Sequence, residues 1–277
     1  MEFYNQKKLE ISKKIYERFL SEIQEKLNKE PFKKSLDNVL EIDKKYYAEN
    51  ITIQEMEKIL KEYSHKEILN VDNVNKIQLI LSGNPEIVFR MGIEAVRQNV
   101  RMEINIDDFC LAQNTLLIEF FNLISKEMGL GEILILKNLV KDEEIIKTSK
   151  NFDMTVCFGN SNDYNRLKRE DKIINLKLYP FYIFELHSDS LELEEVRRGL
   201  FDYISRNQFD IEIYDMDLDI EEVITEMNRD GYGFCSILLS KDKEKIKKFK
   251  ENIKSKYIFV NENPFKKIEF IFDLRNV

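Results

Sequence analysis

Between residues 77 and 158, short apolar runs alternate with amphipathic stretches, and this alternation constrains the fold more than any other feature of the sequence. Ile77-Gln-Leu-Ile-Leu81 is followed by the turn Ser82-Gly-Asn-Pro85, then by Ile87, Val88, Met91, Ile93, Ala95 and Val96 at helical spacing. Val100-Arg-Met-Glu-Ile104 places apolar residues at alternate positions, as a strand does. Residues 111–128 read as a helix that buries Leu116, Leu117, Phe120, Phe121 and Ile124 and stops at Gly129 and Gly131. Ile133-Leu-Ile-Leu136 and Met154-Thr-Val-Cys-Phe158 are continuous apolar runs, the pattern of strands covered on both faces, and a short charged helix over 141–149 lies between them. Strands joined by helices in this order need crossover connections. The expected class is therefore α/β, a parallel sheet with helices on both faces.

The flanks extend this plan. Leu9, Ile11, Ile15, Phe19, Ile23 and Leu27 predict an amphipathic helix over 3–30, which Pro31 ends or restarts. Thr52-Ile-Gln-Glu55 is a capping-box helix start, with Met56, Ile59, Leu60 and Tyr63 as its apolar face. Toward the C-terminus, Tyr182-Ile-Phe184, Phe234–Leu239 and Tyr257–Val260 read as strands, and 191–206, 220–229 and 241–255 as helices. The tail Ile268–Leu274 suits an edge or exchanged strand. The division expected is an N-terminal helical segment over 1–76, a nucleotide-domain-like α/β domain over 77–180, and a reduced second α/β lobe over 181–277 that ends in a strand.

Composition removes several function classes. The chain of 277 residues carries 43 Lys and Arg against 51 Asp and Glu, a net charge of −8 that opposes a broad nucleic-acid surface. Only 8 glycines are present, too few for several glycine-rich phosphate loops. Cys110, Cys157 and Cys235 have no CxxC spacing, so neither a disulfide framework nor a zinc signature is expected. His65 and His187 are far apart, which excludes a site with several histidine ligands. No apolar run is long enough to cross a bilayer and the charged start is no signal peptide, so the expectation is a soluble, reduced, cytoplasmic protein. Cys157 and Cys235 sit in apolar strands as small hydrophobes, and Asp107 and Asp108 would raise the pKa of Cys110. His187 is expected at a turn or on the surface. Gly159-Asn160 follows a buried strand, where a ligand meets the carboxyl edge of a parallel sheet and where a plain turn also fits.

Several segments together resemble the aldehyde dehydrogenase superfamily, in particular its long-chain acyl-CoA reductases. Leu81-Ser-Gly-Asn-Pro85 is similar to the family's "GNP" turn, and Arg97-Gln-Asn-Val-Arg-Met102 falls where its "GN-x-V-x-x-K" strand does. Phe152-Asp-Met-Thr-Val-Cys-Phe-Gly-Asn160 resembles the strand written "D-x-V-x-x-(T/Y)-G-S". Asp230-Gly-Tyr-Gly-Phe-Cys-Ser-Ile-Leu-Leu-Ser-Lys-Asp242 and Tyr257-Ile-Phe-Val-Asn261 resemble two late strands. The resemblance implies a nucleotide-domain fold, a nicotinamide cofactor near Gly83, Asn84, Gly159 and Asn160, and oligomers built by extending sheets between chains.

The departures from the family pattern fall on its chemistry. The superfamily's reaction needs a cysteine thiolate after its "E-L-G-G" segment. Here that segment resembles Glu185-Leu-His-Ser188, without either glycine, and residues 158–234 contain no cysteine. Asn207-Gln-Phe-Asp210 resembles "G-Q-x-C" with Asp210 in the cysteine's place. The cofactor lysine falls near Glu103 and Ile104, and "P-F-G-G" resembles Asn263-Pro-Phe-Lys-Lys267 without its glycines. The resemblance thus implies a catalytically degenerate relative, with no catalytic residue, no metal, and a binding, regulatory or assembly role as a homo-oligomer or beside an active relative. Two alternatives stay open: an NAD(P)-dependent acyl-CoA or aldehyde oxidoreductase with an unusual site, and a small-molecule binding module.

Overall fold

In a computed structural model of the chain, the described residues are 2–43, 50–69, 73–81, 83–106, 110–138, 140–169, 173, 175–180, 183–206, 210–215, 217–262, 264, 272 and 274–276. They divide into two compact units, one formed by 1–157, 166–177 and 272–277, the other by 158–165 and 178–271.

The first unit opens with three helices, α1 (Glu2–Leu27), α2 (Glu30–Asp43) and α3 (Ile53–Tyr63). It continues as β1 (Lys76–Ile80), α4 (Pro85–Arg97), β2 (Arg101–Ile106), α5 (Leu111–Glu127), β3 (Leu134–Asn138), α6 (Asp142–Ser149) and β4 (Met154–Phe158). A further helix, α7 (Ser161–Lys168), leads to β5 (Leu176–Tyr179), and the five strands form one sheet in the order β3-β2-β1-β4-β5. The pairs β1/β2, β1/β4 and β2/β3 are parallel, with Ile77 opposite Met102 and Met154. The connections β1→β2→β3 step one way and β3→β4 returns past β1. Right-handed crossovers then place α4 and α5 on one face and α6 on the other. The continuous apolar runs behave as expected in the middle of the sheet, where Ile77–Ile80 and all five residues of β4 are buried. On β3 the expectation of two covered faces fails. It is the edge strand, and Ile135 is 44% exposed.

The long N-terminal helix stops at Leu27, and Pro31 sits in the first turn of α2 rather than in a break. On α1 the buried stripe is Tyr16, Phe19, Ile23 and Leu27, while Ile11 points outward. The Thr52 capping box forms: the Glu55 amide donates to Thr52 Oγ1, and the Thr52 amide donates to Glu55 Oε2 at 2.7 Å.

Helix α4 starts on Asn84, whose Oδ1 accepts the Glu86 amide at 2.9 Å, and Pro85 follows at the first helical position. It is buried on nearly every side, so its charges are buried as well: Arg90, Glu94 and Arg97 are each 5% exposed or less. Arg97 Nε donates to Glu94 Oε2 at 2.8 Å, Nη1 to the Glu67 carbonyl at 2.9 Å, and Nη2 to the Phe272 carbonyl at 3.1 Å. Gln98 Nε2 donates to Glu94 and to the Phe272 carbonyl, and Gln98 Oε1 accepts the Leu274 amide at 2.9 Å. The chain end is thus fastened to α4. Of the strand expected over 268–274, residues 268–271 and 273 lie outside the described residues, and Leu274 opens a 3-10 turn.

The second unit contains β6 (Ile183–Ser188), α8 (Glu194–Arg206), β7 (Asp210–Tyr214), α9 (Ile220–Asp230), β8 (Cys235–Leu239), α10 (Lys243–Asn252) and β9 (Tyr257–Val260). Its four-stranded sheet runs β7-β6-β8-β9, parallel throughout. Ile220, Val223, Ile224 and Met227 of α9 pack with Leu238, Phe249 and Ile253 as one core cluster. Phe249 of α10 and Ile253 just after it are buried, and Ile246 packs partly buried against the same cluster.

Two substitutions test the packing around α4. Arg97→Met strands the buried Glu94 carboxylate and frees the chain end. We expect a loss of about 3–5 kcal/mol in urea unfolding, partly restored by adding Glu94→Gln. At Gly92 a Cβ would collide with the Phe121 ring of α5. Alanine gains about 1 kcal/mol of helix propensity there, but overpacking costs about 1–3 kcal/mol. Gly92→Ala should therefore lower the urea midpoint.

Candidate functional site

The register Ile80↔Cys157 sets the carboxyl ends of β1 and β4 side by side in the first sheet, and the direction of winding reverses between them. Gly83 and Asn84 follow β1, and Gly159 and Asn160 follow β4. Gly83 has φ 80° and its carbonyl accepts Asn114 Nδ2, while Asn84 caps α4. Gly159 has φ 72° and its amide donates to the Tyr179 carbonyl at 2.8 Å. Asn160 caps α7: its Oδ1 accepts the Asp163 amide at 3.0 Å, and its Nδ2 donates to Asp163 Oδ2 at 2.6 Å. Both asparagine side chains are engaged in starting helices. Glu103, near the family lysine's position, points into the interior from the middle of β2, beside Gln78, and Ile104 is fully buried.

Each of the three thiols is fully buried. Cys110 precedes α5 in a left-handed conformation, Cys157 lies in β4, and Cys235 opens β8. Burial pushes the Cys235 thiol well above its ordinary pKa, and the nearby Glu185 charge pushes it further.

A polar cluster of the second unit surrounds Asp210 and Glu185. The register Ile183↔Asp210 puts Asp210 at the amino end of the sheet, where its Oδ2 accepts the Ser161 amide. The Ser161 hydroxyl lies between the Asp210 carboxylate and the Tyr232 phenol. Further into the sheet, Glu185 on β6 faces Ser236 on β8. Glu185 Oε1 accepts the Tyr232 amide, and Oε2 accepts Ser236 Oγ at 2.8 Å, with Ser255 Oγ at 3.5 Å. Gly231 makes this possible, because a Cβ there would collide with Glu185 Oε1 and the Met227 carbonyl. Burial raises the pKa of both carboxyl groups, and the bonds from Ser236, Tyr232 and Ser161 oppose it. These acids hold loops together through several donors, and among the described residues neither accepts a hydrogen bond from a thiol or an imidazole. Ser161, Tyr232, Ser236 and Ser255 carry no sequence motif. They meet Glu185 and Asp210 across separations of 47 to 70 residues.

His187 corrects a sequence expectation. It lies inside β6, fully buried rather than at the surface, because β6 runs on through Ser188. Neither ring nitrogen makes a hydrogen bond among the described residues. Burial holds its pKa below the usual histidine value, with Lys245 acting the same way. Asp189 and the Tyr214 and Asp215 backbone pull against this. Among the described residues, no three His, Cys, Asp or Glu side chains are placed to share a metal ion.

Glu185 offers a test of the site's electrostatics. Its folded pKa is raised above 4.5, so the buried charge weakens the fold above that pH and the penalty disappears once both states are protonated. Glu185→Gln keeps an acceptor and removes the charge. We expect the stability of the variant relative to the parent to rise between pH 4 and pH 8, read from urea midpoints across that range.

No known family profile matches the sequence, and no curated protein matches it in sequence comparison. Solved structures do match its fold. Gamma-glutamyl phosphate reductase from Thermotoga maritima aligns over 90% of this chain and 83% of its own, at 10% identity and a TM-score of 0.56. A salicylaldehyde dehydrogenase from Pseudomonas putida G7 aligns over 95% and 81%, at 11% identity and a TM-score of 0.58. A propionaldehyde dehydrogenase from the Clostridium phytofermentans fucose utilisation bacterial microcompartment aligns over 95% and 85%, at 8% identity and a TM-score of 0.55. The parallel sheets, their order and these neighbours agree: the chain has the fold of the aldehyde dehydrogenase superfamily.

Proposed function

We propose that this chain is a catalytically degenerate member of that fold group, acting by binding or assembly rather than by aldehyde or acyl-CoA chemistry. One observation carries the reading. The position that resembles the family's nucleophile is Asp210, whose carboxylate is held by Ser161, while Cys110, Cys157 and Cys235 are all fully buried. A carboxylate is a weak nucleophile toward a carbonyl, and its charge opposes the oxyanion that forms next. Glu185, in the place of the family's "E-L-G-G" acid, is bound by Tyr232 and Ser236 rather than left to take a proton from water. The dinucleotide positions fit a cofactor poorly. Asn84 and Asn160 cap helices, and Glu103 puts a carboxylate where a lysine would hold a ribose.

The assay follows NAD(P)H absorbance with a panel of acyl-CoAs and aldehydes at high protein concentration, beside NADPH fluorescence on mixing. The expected result is no turnover with either cofactor. Turnover abolished by changing Cys110, Cys157 or Cys235 to Ala would replace this reading with an oxidoreductase of unusual site.

A further inference from the structure

The amino edge of the first sheet, opposite to the edge carrying Gly83 and Asn84, holds a cavity of about 420 Å³. That volume is in the range of metabolite sites. Strand register places two cations there side by side, since Lys76 opens β1, Arg101 opens β2, and the two are direct partners in the ladder. Like charges opposed in a sheet repel, and an anion seated between them would relieve that repulsion. Asp153 is the carboxylate on the neighbouring strand entry. Its Oδ2 accepts the Asn75 and Lys76 amides at 2.7 and 2.9 Å, and it reaches Lys76 only through space. Among the described residues, neither the Lys76 ammonium nor the Arg101 guanidinium forms an ion pair. Glu103 and Glu132 line a separate, smaller cavity of about 230 Å³ that shares this cationic lip. The described residues around the larger cavity include no acid and no aromatic ring. Ile15, Val96, Leu130 and Ile133 give it an aliphatic wall, and Ser12, Asn75 and Asn99 add polar lining beside the two cations.

We propose that this cavity binds an aliphatic monocarboxylate, with the carboxylate between Lys76 and Arg101 and the hydrocarbon chain along the aliphatic walls. The guanidinium fork suits a carboxylate through two parallel hydrogen bonds, and the lysine adds a point charge. Without an aromatic platform the cavity gives a nucleobase nothing to stack on. Aliphatic walls reward a hydrocarbon by the area they remove from water. The proposal is independent of the lost chemistry at Asp210, because every residue it uses belongs to the first unit.

The probe is octanoate, titrated into the full chain by calorimetry, with octylammonium as the charge-reversed control. The expected result is saturable binding of one octanoate per chain, weakened by added salt, and none of octylammonium. Arg101→Gln should weaken binding about tenfold, as the loss of a charge-assisted hydrogen bond does, and Lys76→Gln by a smaller factor. Both residues are exposed, so these variants should fold, and circular dichroism checks that they do. Val96→Phe fills the apolar end and should abolish binding while leaving both charges in place. Absence of saturable octanoate binding would overturn the proposal. So would unchanged affinity in the Arg101→Gln, Lys76→Gln double variant, or equal binding of octylammonium.

Discussion

The pairing of the buried charges on α4 governs the first unit. A parallel sheet must be covered on both faces, and here the covering helix is itself covered by α1 and α3. Arg90, Glu94 and Arg97 therefore sit where an unpaired charge would cost several kcal/mol, roughly the whole net stability of a domain. Arg90 reaches Glu62 of α3 at 2.9 Å, and Arg97 holds both Glu94 and the chain end at Phe272. Burial raises the pKa of Glu94, with Arg97 opposing, and the Tyr63 hydroxyl lies beside the same carboxylate. Tyr16 of α1 donates to the Tyr63 carbonyl at 3.1 Å, so the first helix joins the network as well. One set of charges thus ties together segments from residue 16 to residue 274.

Much of this fold was legible because parallel strands buried on both faces leave an unmistakable pattern. The runs at 77–81, 154–158 and 234–239 are apolar but for Gln78, Thr155 and Ser236, and each coincides with a strand. The same pattern misled at β3, since a hydrophobic run does not reveal whether its strand lies at an edge. Helix α2 was illegible because Pro31 reads equally as a stop and as a first-turn residue. Strands β5 and β7 are short and half-polar. The alternation in Asp210-Ile-Glu-Ile-Tyr214 carries only two aliphatic positions, too few to mark a strand. Helix α7 has eight polar-rich residues, and its only signal was the Asn160–Asp163 cap.

The polar cluster in the second unit was half legible. Asp210 and Glu185 were reached through motifs, which are local in sequence. Their partners Ser161, Tyr232, Ser236 and Ser255 come from different βα connections and meet only when the sheet assembles. Serine and tyrosine are too common for their spacing to signal anything. His187 was misplaced for a related reason: a polar residue after a short apolar run looks like the end of a strand, whereas β6 continues two positions further than its apolar content.

A site can lose its chemistry while its scaffold persists because the two depend on different atoms. The sheets are held by backbone pairing and by aliphatic burial on β1, β4, β6 and β8, none of which involves a nucleophile. The reacting groups of such a fold must be left under-bonded, exposed to substrate and poised in charge. On the reading proposed above, the corresponding carboxylates are Glu185 and Asp210, and both accept hydrogen bonds from neighbouring loops. Glu185 accepts donors from two segments, and Asp210 accepts the first amide of α7. Each bond that stabilises the carboxylate in place removes a lone pair that general-base chemistry would use. Gly231 shows how firmly the arrangement is built, since the loop approaches Glu185 too closely for any side chain.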